Sequence, residues 1–260
     1  MTPVPSGDRL LRLAPALFAL SFVAFWEIAV RATGVAVYLV PGPIAVASAF
    51  LAAPTLLLGS LAATLAVTFT ALLASAILGV ALATAMVASP WARAAIQPWA
   101  TVLQVTPVVA IAPLIIVWVG DPFASLVVCA TIVAFFPVFS NTATGLGAAP
   151  ADLLDLFRLN GATRWDTIRL LRLPAALPYF LAGLRISGGL ALVGAVVAEF
   201  VAGSGGFASG LAYRILESGY RLQIPRMFAA LALLSAAGVA INTVLNLTAR
   251  LLLARQGGPG

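Results

Sequence analysis

From Thr33 to Ala92 the chain carries no charged residue at all, a run of 60 positions. A water-exposed fold does not tolerate this: soluble domains are roughly 25% charged, whereas this chain is 8% charged and 62% hydrophobic over its 260 residues. The run belongs in lipid. A hydrocarbon core of ~30 Å is crossed by about 20 helical residues at 1.5 Å each. Val40-Pro41-Gly42-Pro43 cannot continue a helix, and the piece from there to Pro54 is too short to cross, so it is expected as an interfacial helix. The remainder, Leu57 to Ala88, is ~48 Å long as a helix, enough for one long or tilted span and too short for two with a turn.

The same reasoning places a first span at about 13–32, uncleaved because its apolar core is longer than that of a signal peptide. Further spans are expected at about 94–119, 123–146, 175–201 and 227–252. The fold class is therefore all-α, a polytopic membrane protein with six transmembrane helices in a single domain, 1–260. Six crossings put both termini on one side. With the N-terminus inside, that side carries nine arginines (Arg9, Arg12, Arg93, Arg158, Arg164, Arg169, Arg172, Arg250 and Arg255) and the outside four (Arg31, Arg214, Arg221 and Arg226), as the positive-inside rule requires.

Composition removes several chemistries. There is no Lys and no His, and Cys129 is the one thiol. A Walker A loop needs its Lys, zinc sites and Ser-His-Asp triads need His or several Cys, and an internal disulfide needs a second Cys. No catalytic residue and no metal site is expected. The net charge of +6 is spread along the chain without a basic stripe, which argues against nucleic acid.

Residues 147–174 hold seven charges and form the largest aqueous piece. Leu153, Leu156 and Phe157 make an apolar stripe at helical spacing, Pro150 suits a first turn, and Asn160-Gly161 is a helix stop. Thr163 and Asp166 match a capping box, Asp166 and Arg169 lie within i,i+3 reach, and Pro174 limits the second helix. A helix-turn-helix elbow on the cytoplasmic face, between spans 4 and 5, is the expectation. Such an elbow is either a docking surface or a solvated hairpin.

Gly161, nine residues, Leu171, Arg172, Leu173 and Pro174 reproduce the spacing of the EAA motif of permease subunits in bacterial ATP-binding cassette importers. Asp155-Leu156-Phe157 stands in place of EAA itself, and Leu171 in place of Ile. The stretches LQVTPVVAIAPLIIVWVG (103–120), FFPVFSNT (135–142), LPAALPYFLAGLRISGGLALVGAVVAEF (173–200) and SGGF (204–207) resemble the nitrate, sulfonate and taurine type of importer permease. The resemblance covers about residues 10–255.

It implies that the elbow is a coupling helix docked on a cytoplasmic ATPase present in two copies. Asp155, Leu156, Phe157, Arg158, Asn160, Gly161, Ala162, Thr163, Arg164, Asp166, Arg169, Leu173 and Pro174 would form the coupling surface. It also implies a second copy of the same permease, a periplasmic or lipoprotein solute-binding protein, and residence in a bacterial inner membrane among its lipids. On the same resemblance this chain would bind no cofactor, ATP and Mg belonging to the partner, and the cargo would be a nitrate-, sulfonate- or taurine-like solute or an aromatic heterocycle precursor. The rival is an ion-gradient-driven secondary transporter, which usually needs mid-membrane acids that this chain lacks.

Inside the membrane, small residues and polar groups mark helix contacts. Gly183, Ser187, Ala191 and Ala195 form a smooth ridge, and Gln97, Thr101 and Gln104 a polar stripe. Candidates for a solute path are Gln104, Phe136, Asn141, Arg185, Ser187 and Glu199. Each has a bland alternative: interhelical bonding for Gln104 and Ser187, packing for the Phe136 and Asn141 region, satisfaction of helix-end carbonyls for Arg185, and a boundary carboxylate without a task for Glu199. The loop after residue 202 is a candidate seat for the binding protein or an interfacial closure.

Overall fold

A computed structural model describes residues 7–202 and 209–254, with side chains from residue 13 onward. The side chains of Arg9 and Arg12, the SGGF stretch and Arg255 lie outside the described residues. Every regular element among the described residues is helical, in the order α1 (Gly7–Thr33), α2 (Pro43–Ala52), α3 (Pro54–Ala88), α4 (Pro90–Val105), α5 (Val108–Val119), α6 (Pro122–Gly147), α7 (Ala151–Leu159), α8 (Arg164–Asp166), α9 (Leu173–Ala202), α10 (Leu211–Tyr220) and α11 (Ile224–Ala254). A π-helical stretch, Thr167–Arg172, joins α8 to α9.

Five stretches are long and apolar enough to cross a membrane, Leu13–Thr33, α3, α6, Arg164–Ala202 and α11, and a sixth arises if α4 and α5 count as one span. That pair occupies the third span expected over 94–119, and within it the chain turns by 106° between α4 and α5. Pro107 is the cause, since it removes an N–H from the helical ladder and its ring pushes Thr106 into extended backbone (φ −75°, ψ 121°). The short α2 falls where an interfacial helix was expected. At the far end of α5 the chain reverses through Gly120 in the left-handed region (φ 71°), and Asp121 caps α6 by accepting the Ala124 N–H at 2.7 Å.

A correction concerns the elbow. Pro174 does not end its second helix, because α8, the π-helical stretch and α9 run on as one rod from Arg164 to Ala202. The proline ring crowds the carbonyl four residues back and offers no N–H. The wider turn just before it accommodates this, with the Leu173 N–H donating to the Ile168 carbonyl five residues earlier.

The chain divides into two groups of segments. In the first, residues up to 58 with 214–232, Glu27 pairs with Arg31 at 2.6 Å and accepts the Ile44 N–H at 3.2 Å, so this carboxylate caps the start of α2. Trp26 and Phe228 meet with ring centroids 6.1 Å apart.

The second group, residues 59–213 with 233–260, is organised by the seam between α6 and α9. Here the expected ridge packs in full: Gly183, Ser187, Ala191 and Ala195 are all buried. A side-chain carbon at Gly183 would lie 2.6 Å from the Pro137 carbonyl oxygen, and one at Gly194 2.8 Å from the Ala130 Cα. The backbones are thus close enough that only hydrogen fits. Ser187 donates to the Ala134 carbonyl at 2.6 Å across the seam, and Ser75 of α3 donates to the Thr131 carbonyl at 3.2 Å. Cys129, fully buried, sits with Ala130, Ala195 and Ala198 in the cluster at one end of the seam, and Phe135 and Phe139 anchor the cluster at the other.

Gly183→Leu should therefore destabilise the detergent-solubilised protein by about 1–3 kcal/mol through overpacking. Gly59→Leu, at a helical glycine with open space around it, should stay within about 0.5 kcal/mol. Chemical unfolding of the two variants checks the difference.

Candidate functional site

The elbow closes by two capping devices placed back to back. At the end of α7 the Gly161 N–H donates to the Arg158 carbonyl and the Ala162 N–H to the Phe157 carbonyl, both at 3.0 Å, with Gly161 in the left-handed region (φ 70°). This is a Schellman closure. Asn160 adds a side-chain bond to the Leu156 carbonyl at 2.8 Å. One residue later Thr163 opens the next helix with a full capping box, its Oγ1 accepting the Asp166 N–H and its own N–H donating to Asp166 Oδ2, each at 3.1 Å. Ala162 alone separates the two caps, so the corner has almost no freedom.

Arg172 ties the elbow down by donating to the Leu146 carbonyl at 3.2 Å in the last turn of α6, where a cation suits both the unpaired carbonyl and the helix dipole. Arg158 pairs with Asp155 at 3.0 Å. Asp166 is taken up by Thr163, and no ion pair with Arg169 is found among the described residues. Leu173 and Pro174 belong to the first turn of α9. A cavity of about 480 Å³ under the corner is lined by Arg158, Arg164 and Arg172 together with Leu154, Thr167 and Ile168.

The inward face of α7 differs from the expected stripe. Leu154 and Phe157 are half-buried, whereas Leu153 and Leu156 point outward at 42% and 51% exposure and Leu159 stands at 86%. Trp165 and Leu170 are also bare. The elbow thus presents a ridge of large apolar side chains beside Asp155, Arg158 and Arg164, on a corner that is rigid.

Of the candidates along the membrane, Gln104 and Phe136 come together. Two cavities, each about 340 Å³, flank the seam between α4 and α6. One is lined by Arg93, Gln97, Thr101 and Phe136, the other by Gln104, Thr106, Phe136 and Pro137. The polar stripe of α4 therefore faces space, and Phe136 borders both cavities. The remaining four lie elsewhere. Asn141 donates to the Pro137 carbonyl of its own helix and packs on Gly183. Ser187 is sealed in the α6–α9 seam. Arg185 is on the exposed face of α9 with Ile186 and Gly189. Glu199 is buried, so it is not a carboxylate at an aqueous boundary: it accepts the Thr64 hydroxyl at 2.8 Å and the Ala212 N–H at 3.0 Å. Thr64 had no signal in the sequence, since its partners lie 135 and 147 positions away.

The family model described as "Binding-protein-dependent transport system inner membrane component" matches residues 75–257. The chain belongs to this family. It is 34% identical over 87% of its length to the formylaminopyrimidine transport permease protein ThiX of Halalkalibacterium halodurans, covering 89% of that protein. It is 35% identical over 62% of its length to the riboflavin transport system permease protein RibX of Chloroflexus aurantiacus, covering 59% of it. An amino acid ABC transporter crystallised with histidines shares the fold, with a TM-score of 0.63, 18% identity, and coverage of 79% of this chain and 96% of that one. This importer permease is a multi-pass membrane protein and a transport subunit, not an enzyme, and its family works with an ATPase and a solute-binding protein.

In the permease the left-handed Gly161 fixes the corner. Gly161→Val places a β-branched side chain in that conformation at a cost of at least about 1–2 kcal/mol. The Ala162 amide should exchange with solvent about tenfold faster or more, while amides in the middle of α6 stay unchanged. Hydrogen-exchange mass spectrometry of the elbow peptides reads both.

Proposed function

We propose that the elbow at 147–174 is the coupling surface through which a separate cytoplasmic ATPase, carrying ATP and Mg, drives this permease. The observation that carries the reading is the bare ridge of Leu153, Leu156 and Leu159 held on a corner stiffened by two adjoining caps. Solvent-exposed leucines on so rigid an element favour burial against a partner. Where the motif of this family has two alanines, Leu156 and Phe157 add volume, so the receiving cleft is correspondingly wide. Asp155, Arg158 and Arg164 supply polar contacts at its rim.

With the bent α4–α5 pair counted as one span the chain makes six crossings, which puts both termini on one side, and the arginine distribution supports the orientation with the elbow and both termini in the cytoplasm of a bacterial inner-membrane protein. Two permease copies then pair with two ATPase subunits. The uncovered face of α9 around Arg185 and Gly189 suits the second copy. On the outer side α10, an amphipathic helix whose Glu217 pairs with Arg214 at 2.7 Å and Arg221 at 3.1 Å, is the seat for a free or lipid-anchored binding protein.

The cargo is a small heteroaromatic solute. The relatives named for formylaminopyrimidine and riboflavin support this class, as do the two cavities that Phe136 lines, one with Gln97 and the other with Gln104. A flat ring with hydrogen-bonding edges meets a stacking face and neutral polar partners there.

Replacing Leu156 and Leu159 together by Asp should reduce the amount of ATPase that co-purifies with the permease by at least about tenfold, because two carboxylates then enter an apolar contact. Unchanged co-purification would remove the elbow as the contact. Phe136→Ala should lower uptake of the cargo with ATPase binding intact, and quantitative pull-down beside a whole-cell uptake assay separates the two effects.

A further inference from the structure

The carboxylate of Glu199 lies where α9, the start of α10 13 residues later, and α3, 135 residues earlier, meet. Its residue is 3% exposed, and Thr64, Leu211 and Ala212 are wholly buried around it. Oε1 accepts the Thr64 hydroxyl of α3 at 2.8 Å, Oε2 accepts the Ala212 N–H at 3.0 Å, and the Thr64 Oγ1 accepts the Leu211 N–H at 2.9 Å. The first N–H groups of any helix lack partners inside it, and a negative group there also meets the positive end of the helix dipole. Thr64 and Glu199 thus take the first two amides of α10, those of Leu211 and Ala212, respectively. Gly210 is the residue that allows the approach, because a side-chain carbon at that position would collide with the Glu199 carboxyl.

Taking a carboxylate out of water is expensive unless its oxygens are satisfied, and a neutral cap such as Ser or Asn serves a helix start at lower cost. What the acid adds is reach. From the end of α9 it bonds to both α3 and α10, and α9 is continuous through the π-helical stretch with the elbow at Arg164.

We infer that Glu199 is a positioning residue that latches the first turn of α10 to α9, so that movement of the elbow reaches the outer helix along one unbroken rod. The coupling half of this inference rests on the elbow being the ATPase contact; the latch itself does not. In the latch Thr64 acts as a second bolt on the same amides, so loss of either residue loosens the same turn. Effects at the two positions are then non-additive, as for members of one network.

Two measurements separate the halves. On the permease alone, hydrogen exchange at Leu211 and Ala212 should be at least about tenfold faster in Glu199→Ala and in Thr64→Val, with Glu199→Gln close to wild type because an amide still bonds both partners. On the permease–ATPase complex in nanodiscs, trapping with Mg-ATP and vanadate should change exchange across α10 in wild type. In Glu199→Ala that response should vanish while ATP hydrolysis in the untrapped complex persists. Wild-type exchange at Leu211 and Ala212 in both Glu199→Ala and Thr64→Val would overturn the latch. A trapping response in Glu199→Ala equal to wild type would overturn the transmission. Absence of any ATPase on the wild-type permease would instead refute the elbow contact and leave the first measurement to judge the latch. Should Glu199→Ala fail to fold, Thr64→Val decides the latch, and Glu199→Ser, polar but too short to reach the Ala212 amide, takes its place in the trapping experiment.

Discussion

Close backbone approach between α6 and α9 is the constraint from which the second group of segments takes its form. Lipid gives helices no hydrophobic reason to associate, so contact must come from packing and from hydrogen bonds that lipid cannot supply. Gly183 and Gly194 give the packing, each admitting no more than a hydrogen against α6, and Ser187 gives a bond to the Ala134 carbonyl. That carbonyl lies three residues before Pro137, in a stretch of α6 where the proline has already removed one ladder bond. The carbonyl that loses its ladder partner is that of Val133, four residues before the proline, so the Ser187 bond is an added tie across the seam and not a replacement for the lost bond.

Because α9 is fixed along the seam, what lies at its two ends is fixed with it. At one end the π-helical stretch carries it into the capped corner of Gly161 and Thr163, and Arg172 pins that corner to the last turn of α6. At the other, Glu199 reaches the amides of α10. Stiff ends on a stiff rod suit an element that moves as a body. The breaks in regular packing are elsewhere: the 106° turn between α4 and α5, and the cavities beside Phe136.

Much of this was legible because it is written in local pattern. The corner at Asn160-Gly161 and the box of Thr163 and Asp166 are spacing rules of a few residues, and the small-residue ridge of α9 is a four-residue period; each forms as read. Features that depend on what lies opposite were not legible. Periodicity grouped Leu153 and Leu156 with Phe157, but only the placement of α7 reveals that Leu154 is the inward partner and that the other two leucines stay bare. Pro174 is a helix stop by local rule, and the widened turn before it is what overrules that rule. The burial of Glu199 was illegible for the same reason, as nothing near it in sequence announces Thr64 or the start of α10. At Pro107 the local rule forbids an unbroken helix but does not set the size of the turn.

The lone thiol has a practical bearing. Cys129 is wholly enclosed among alanines of α6 and α9 and has no second sulfur with which to pair. Its burial is expected to shield it from maleimide dyes and spin labels for as long as this packing holds. Reporter cysteines can be installed on any bare surface without first stripping the background, and the enclosed sulfur becomes reactive only when the helices part.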